Sequence, residues 1–313
     1  MIKRTLCFSN PAYLSLKNKQ LVIKLPEVEN NDTLPESFKK NAIRTIPIED
    51  IGVILFDHKQ ITLTQGLLET LLENNCAVIT CDNSHLPVGL LLPLCGNSTQ
   101  SERFRYQIDA SLPLKKQLWQ QTIQCKIRNQ AAILKTYSHV EIGNMQKWAN
   151  DVKSGDNDNL EGRAAAYYWK NIFPHIPHFI RDREGMFPNA LLNYGYAILR
   201  AVVARSLVAS GMLPTLGIHH HNRYNAYCLA DDIMEPYRPY VDELVIELMD
   251  KRPHNLDINT EIKKELLSIP TLDVIINGQR SPLMIAIGQT TASLYKCFSG
   301  EVRKIVYPEK QSK

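Results

Sequence analysis

Residues 216–239 read LGIHHHNRYNAYCLADDIMEPYRP, and the rest of the chain is organised around this stretch. Pro214 and Gly217 indicate a turn that leads into three consecutive histidines. The segment that follows has helical spacing, which places Asp232 and Glu235 on one face of a helix. Two carboxylates on one face repel each other, and a divalent cation would remove that penalty. We therefore predict a metal site to which a histidine contributes a nitrogen ligand.

Three motifs, in this order along the chain, resemble those of the CRISPR adaptation integrase, the larger subunit of the complex that inserts new spacers. They are a Glu-Gly-x-x-Ala helix at 161–165, a Gly-aliphatic-x-His turn at 217–220 and a Leu-x-x-Asp-Ile-x-Glu-Pro-Tyr-Arg helix at 229–238. The LGIHHHN run is most similar to the branch that accompanies single-protein (type II) effector nucleases. The resemblance covers nearly the whole chain.

The resemblance implies that Glu161, His220 and Glu235 are the catalytic residues and the ligands of a Mg²⁺ or Mn²⁺ ion. Asp232 is then either a further ligand or the group that anchors one. Judged from its own segment alone, Glu161 is an ordinary first-turn acid that the helix dipole favours.

His220 is the histidine that the turn motif selects, because it stands three residues after Gly217. Neighbouring residues point in different directions, so we expect one histidine of the three to bind metal. His219 and His221 are predicted to pack against the protein or to contact DNA phosphate.

The composition is that of an ordinary globular protein, with 313 residues, 44% hydrophobic and 22% charged, and a net charge of +4. Seven cysteines without a CxxC pair indicate a reducing compartment rather than a disulfide or zinc framework. No apolar run approaches the roughly 18–20 residues that cross a bilayer, and the first residues lack a signal-peptide pattern. We expect a cytoplasmic protein that does not enter a membrane.

The predicted fold class is α+β, with a small β-sandwich at 1–95, a linker at 96–99 and a larger all-α catalytic domain at 100–313. Short β-rich segments are predicted at 4–9, 13–17, 20–25, 42–47, 52–56, 60–64, 77–80 and 88–92. One helix is predicted among them at 65–74, and 27–37 is predicted to be a surface loop. Helices are predicted at 110–140, 160–169, 189–211, 241–251, 258–267 and 282–298. An ordered loop near the active face is predicted at 173–186, and a frayed tail at 307–313.

Basic residues are candidates for DNA binding. Segment 110–140 contains no acidic residue, so a helix there would present a face with only positive charges. Its apolar residues would pack inward: Leu118, Ile123, Ile127 and Leu134. Phosphate contact and a merely solvated face are both open for this helix. Three arginines elsewhere could steer phosphates or form structural ion pairs. The DNA-binding candidates are Lys115, Lys116, Lys126, Arg128, Arg163, Arg223 and Arg238.

The resemblance further implies a metal-dependent integrase of antiviral immunity, in which a 3′-hydroxyl of a prespacer attacks a phosphodiester of the CRISPR repeat. Implied partners are double-stranded DNA, a second copy joined through the β domains, and a dimer of the small CRISPR-associated partner that completes a heterohexamer. The effector nuclease and an accessory DNA-end-binding protein are further expected partners. Two alternatives stay open: a stand-alone, structure-selective metal nuclease of repair, and a DNA-binding scaffold with a decayed site.

Overall fold

The computed structural model describes residues 2–176, 178–182, 185, 187–251 and 258–310. The chain divides into two compact units, Met1–Gly96 and Asn97–Lys313. Strands dominate the first unit and helices the second, so the predicted α+β class is confirmed. Within the described residues, no helix is both long enough and apolar enough to span a bilayer.

The N-terminal unit contains two four-stranded sheets with the orders β1-β5-β7-β8 and β4-β3-β2-β6. Strands β1, β5 and β7 run parallel, whereas β8 is antiparallel to β7. All eight predicted strands are confirmed to within two residues at each end. Their bounds are β1 Arg4–Phe8, β2 Ala12–Lys17, β3 Gln20–Lys24, β4 Arg44–Pro47, β5 Ile51–Phe56, β6 Ile61–Leu63, β7 Ala77–Cys81 and β8 Pro87–Leu91.

The two sheets share one apolar core, as expected for a sandwich. Leu14 and Leu21 of one sheet join Ile54 and Val78 of the other in a single buried cluster. Leu67, on helix α3 (Gln65–Glu73), belongs to the same cluster, so the predicted helix is part of the core. Every residue of β5 is buried, as is typical of a parallel strand covered on both faces.

The segment predicted to be a surface loop at 27–37 is a loop over 30–35 but helical at both ends, so that prediction is wrong at 27–29 and 36–37. Helix α1 spans Pro26–Glu29 and helix α2 spans Glu36–Ala42. Pro26 at the start of α1, the acid Glu36 at the start of α2 and Lys39 and Lys40 at its end are all favourable helix-terminus residues. These terminal signals outweigh the polar composition that indicated a loop.

The C-terminal unit is built around α8, the buried helix that the sequence places at 189–211. Helices α9, α10 and α12 pack against α8, while α5 packs against α6, α7 and α10. The helices are α4 Gln100–Ile108, α5 Leu112–Ile133, α6 Gly143–Asp151, α7 Leu160–Asn171, α8 Asn189–Ala209, α9 Cys228–Met234, α10 Arg238–Lys251, α11 Thr260–Leu266 and α12 Leu283–Phe298. A 3₁₀ turn, Glu235–Tyr237, joins α9 to α10, and a π-helical turn, Leu134–Ser138, extends α5.

This unit is not all-α, which corrects the prediction. A hairpin of β9 (Asp273–Ile276) and β10 (Gln279–Pro282) precedes α12. Its two turn residues, Asn277 and Gly278, have φ angles of 50° and 72°. Asn-Gly with positive φ at both positions is the preferred two-residue connection of a β-hairpin. The Asn-Gly pair was the sequence signal for this hairpin.

The tail is ordered over its described residues, so the predicted fraying at 307–310 is wrong; 311–313 lie outside the described residues. Tyr307 is buried, and its hydroxyl lies 2.8 Å from that of Thr122. Asn129 of α5 donates to the carbonyl of Pro308 at 3.1 Å and accepts from the Lys310 amide at 2.9 Å. Buried polar groups on α5 therefore bind the backbone of the tail.

Candidate active site

The structure brings Glu161 and Glu235 together around the ammonium of Lys126. The Nζ atom of Lys126 lies 2.6 Å from Glu161 Oε1 and 2.5 Å from Glu235 Oε2. Lys126 comes from α5, Glu161 from the start of α7 and Glu235 from the turn between α9 and α10. Three remote segments of the chain thus meet at one point.

Glu161 is positioned by the capped start of α7. Asn159 has a left-handed φ of 50°, and its side chain accepts a hydrogen bond from the Gly162 amide. The carboxylate of Asp156 accepts from the amides of Leu160 and Glu161, both at 2.9 Å. Because other side chains cap these amides, the Glu161 carboxylate is available to the site.

Glu235 is a buried carboxylate held between two cations. Its Oε1 accepts from Nε of Arg238 at 2.7 Å, and its Oε2 contacts Lys126. Burial opposes ionisation, but Arg238 and Lys126 outweigh it and lower the pKa of Glu235 to about 2. Burial likewise opposes the charge on Lys126, yet Glu235 and Glu161 raise the pKa of that ammonium. Glu235, Arg238 and Lys126 are therefore charged near neutral pH.

Asp232 anchors the histidine turn. Its carboxylate is fully buried and accepts from the amides of Ile218, His219 and His220 at 2.8, 2.9 and 3.3 Å. It also lies 2.5 Å from Nδ1 of the His220 ring. A Cβ on Gly217 would stand 2.4 Å from the His220 carbonyl oxygen, so the turn requires glycine there. The backbone and ring of the turn thus wrap one carboxylate.

His220 is the histidine whose ring is held by Asp232. The hydrogen bond that His220 donates to Asp232 raises the pKa of His220; burial opposes this rise, and the charges of Asp232, Glu235 and Glu161 reinforce it. Since Nδ1 is engaged by Asp232, Nε2 is the ring nitrogen left for another partner. His219 stacks instead on Trp119, with ring centroids 4.1 Å apart, and burial lowers its pKa. His219 thus packs against the protein through one ring face, although its side chain, like that of His221, is exposed.

The donor types at this site fit a divalent cation. Two carboxylates and one imidazole whose Nδ1 is held by a carboxylate suit Mg²⁺ or Mn²⁺ better than structural zinc. Within the described ranges, however, no three acidic, histidine or cysteine side chains converge as a ready metal cage. The ammonium of Lys126 occupies the point between the carboxylates. Both carboxylates are therefore engaged by that ammonium.

The basic candidates separate into buried and exposed groups. Lys126 is buried, so its prediction as part of an exposed phosphate-binding face is wrong. Arg238 forms an ion pair with Glu235, which was the structural alternative to steering phosphates. Its guanidinium lies 4.5 Å from the Tyr196 ring centroid. Leu118, Ile123, Ile127 and Leu134 are buried as predicted. The remaining basic candidates have at least part of the side chain accessible, and their DNA binding stays a prediction: Lys115, Lys116, Arg128, Arg163 and Arg223.

Two functional candidates were not singled out from the sequence. Asp242 is buried and accepts from the hydroxyls of Tyr168, at 2.8 Å, and Tyr196. Burial raises the pKa of Asp242 to about 6, although both tyrosine hydrogen bonds oppose the rise. Arg181 donates to Asn193 Oδ1 at 2.6 Å. Asp242 stands four residues after Arg238, and this helical spacing was the available signal for it.

A cavity of about 280 Å³ adjoins Lys126 and Glu235. Its lining includes Arg181, which supports the prediction that segment 173–186 lies near the active face; residues 177, 183, 184 and 186 of that segment lie outside the described residues. The lining residues are Lys126, Gln130, Trp169, Arg181, Tyr196, Glu235, Arg238 and Asp242.

Fold and site together define a two-domain protein with a strand-rich unit and a helical unit, in which two glutamates meet a lysine and an aspartate holds a histidine. The chain belongs to the family described as CRISPR associated protein Cas1, whose profile matches residues 6–269. It is 35% identical to the CRISPR-associated endonuclease Cas1 of Neisseria meningitidis serogroup C (strain 8013), over 94% of this chain and 91% of that protein. The family resemblance read from the three motifs is thereby confirmed.

Solved structures share the fold. A casposase bound to integration product matches with a TM-score of 0.77 and 21% identity, covering 97% of this chain and 92% of that one. A Cas6-RT-Cas1–Cas2 complex matches with a TM-score of 0.75 and 19% identity, covering 100% of this chain and 36% of that one.

Proposed function

We propose that this chain is a metal-dependent DNA integrase and endonuclease of CRISPR adaptation. It joins the 3′-hydroxyl of a short double-stranded prespacer to a phosphodiester of the CRISPR repeat, and it cuts branched DNA at the same site. The observation that carries the proposal is the convergence of Glu161 and Glu235 on the ammonium of Lys126, together with the His220 ring that Asp232 holds.

Glu161, Glu235 and Nε2 of His220 would hold a Mg²⁺ or Mn²⁺ ion. When bound, the ion supplies positive charge that activates the attacking hydroxyl and offsets charge on the in-line transition state. The chain's own groups prepare the site: Asp232 fixes the imidazole through Nδ1, and Arg238 holds Glu235 at 2.7 Å. No side-chain nucleophile is needed because the DNA end supplies the hydroxyl.

The proposed partners are DNA and the small Cas2 protein. The structural relatives include a casposase bound to integration product and a complex that contains Cas2. We propose a homodimer joined through the N-terminal units, with two such dimers flanking a Cas2 dimer in a heterohexamer. The effector nuclease and an accessory DNA-end-binding protein would select the prespacer. We place this assembly in the cytoplasm.

The test is integration of a labelled prespacer into a supercoiled, repeat-bearing plasmid, with and without Cas2 and with Mg²⁺, Mn²⁺ or EDTA. Wild-type protein should yield covalent prespacer–plasmid products when metal and Cas2 are present. Glu161→Gln and His220→Ala should abolish these products. His221→Ala and Glu141→Gln, which change exposed neighbours of the same types, should retain them.

The outcomes separate the competing functions. Metal-dependent cutting without strand transfer under any condition would favour a stand-alone nuclease. DNA binding without cutting or joining, and indifferent to Glu161→Gln, would favour a scaffold. Product formation in EDTA would contradict the metal dependence.

A further inference from the structure

Lys126 occupies the place in the site where the two catalytic carboxylates converge. Its side chain is 10% exposed, and its ammonium contacts Glu161 Oε1 at 2.6 Å and Glu235 Oε2 at 2.5 Å. The carboxylates come from segments 74 residues apart, and the ammonium is the group that links them.

Electrostatics explains why a cation must stand there. Glu235 is buried, and two carboxylates that converge without a cation repel strongly where water is excluded. Arg238 neutralises the Oε1 side of Glu235, whereas the ammonium of Lys126 contacts Glu235 and Glu161 at once. Lys126 therefore serves as the cation common to both carboxylates.

We propose that Lys126 is an internal counter-ion that holds Glu161 and Glu235 together before metal binds, and that a divalent cation must displace its ammonium to bind. This inference rests on the proposed function, since it assumes that the two glutamates are metal ligands. Lys126 is then a positioning residue that lowers the apparent affinity for metal and keeps the metal-free site folded.

The structure offers the displaced ammonium a destination. The 280 Å³ cavity is lined by both Lys126 and Gln130, which stands one turn later on α5. The Gln130 Oε1 atom is buried and, within the described part of the chain, has no hydrogen-bond partner. A lysine side chain that swings along α5 would give this oxygen a donor and clear the carboxylates.

The test compares Mn²⁺ binding to wild type, Lys126→Met and Lys170→Met. Methionine keeps an unbranched, flexible side chain without the charge, and Lys170 is an exposed lysine on α7 that controls for loss of one positive charge. Free Mn²⁺ is measured by its electron paramagnetic resonance signal, in DNA-free protein. Lys126→Met should bind Mn²⁺ about tenfold more tightly than wild type, and Lys170→Met should match wild type.

Thermal melting gives a second readout. In EDTA, Lys126→Met should melt below wild type because its carboxylates lack their common cation, and saturating Mn²⁺ should raise its melting temperature more than that of wild type. Equal Mn²⁺ affinity in Lys126→Met and wild type would overturn the counter-ion proposal while leaving the metal site intact. Failure of both proteins to bind Mn²⁺ would instead contradict the proposed function.

If Lys126→Met does not fold, crystals of wild type grown with and without Mn²⁺ decide the question. The proposal requires that Lys126 Nζ move away from at least one of the two carboxylates when Mn²⁺ is bound. An ammonium that still touches both carboxylates beside a bound ion would refute it.

Discussion

The two units of the chain treat buried charge differently. Among the described residues of the N-terminal unit, the buried charged side chain is Asp57, which lies 2.8 Å from Nδ1 of His85. Removing a charge from water costs free energy that burying an apolar residue does not, so a concentration of buried charge is typical of a functional site. The described part of the C-terminal unit buries six charged side chains: Lys126, Asp231, Asp232, Glu235, Asp242 and Lys263.

The largest expected contrast comes from one substitution in each unit. Glu161→Gln should lower integration at least about 100-fold and leave the melting temperature nearly unchanged, because Lys126 keeps Glu235 as its partner. Ile54→Ala, in the sheet core, should destabilise the protein by about 2–5 kcal/mol. While it stays folded, its integration rate per molecule should stay near wild type. The comparison is measured by plasmid integration and chemical denaturation; an inactive but stable Ile54→Ala protein would break it.

Asp232→Asn should affect both chemistry and stability. The amide retains one acceptor oxygen where the carboxylate now binds three backbone amides and the His220 ring. We expect metal affinity to fall about 10- to 100-fold, and stability to fall by about 1–3 kcal/mol. Mn²⁺ binding and thermal melting check this.

The matched control is Asp231→Asn. Asp231 is the adjacent buried acid, and it pairs with Arg200 rather than with the histidine turn. It should leave Mn²⁺ affinity unchanged. An equal drop in affinity in both variants would show that the effect is general to the helix rather than specific to the histidine turn.

The raised pKa of Asp242 predicts that the stability of the folded state depends on pH. Burial raises its folded pKa to about 6 from 3.8, so between these values the folded state holds a proton that the unfolded state has released. Stability should therefore fall as pH rises from about 4 to 6, by on the order of 2–3 kcal/mol from this group. Asp242→Asn should flatten that part of the curve, measured as denaturation midpoint against pH. A curve for Asp242→Asn that parallels wild type would exclude Asp242 as the titrating group.

The smallest effects are expected from surface charge. Lys116→Glu and Arg128→Glu, on the exposed face of α5, should weaken DNA binding of any sequence. The slope of log affinity against log salt should become shallower by about one for each DNA phosphate that the variant no longer neutralises. Lys40→Glu, an exposed change in the N-terminal unit, should leave the slope unaltered. If all three variants lower it equally, overall net charge rather than the α5 face would account for the binding.

Local patterns were sufficient for most of the secondary structure. Strands in the first unit and the buried helix α8 follow from apolar periodicity and turn residues, which act over a few positions. The hairpin at Asn277–Gly278 could also have been predicted from local turn chemistry, although the sequence interpretation did not include it. The order of the tail could not have been predicted from local patterns, because its partners are distant in sequence. Thr122 lies 185 residues before Tyr307, and Asn129 lies 179 residues before Pro308.

The candidate site was likewise only partly predictable from the sequence. The family resemblance of the motifs implied the roles of Glu161, His220 and Glu235. From its residues alone, the sequence predicted a metal site with Asp232, Glu235 and a histidine, and favoured an ordinary first-turn acid for Glu161. It left open whether Asp232 binds metal, and it placed Lys126 on a solvent-exposed face. The tertiary structure shows that Asp232 is enclosed by the histidine turn and that Lys126 is enclosed by two glutamates. Periodicity specifies which face of a helix a residue occupies, but the charges that meet that face depend on how distant helices pack.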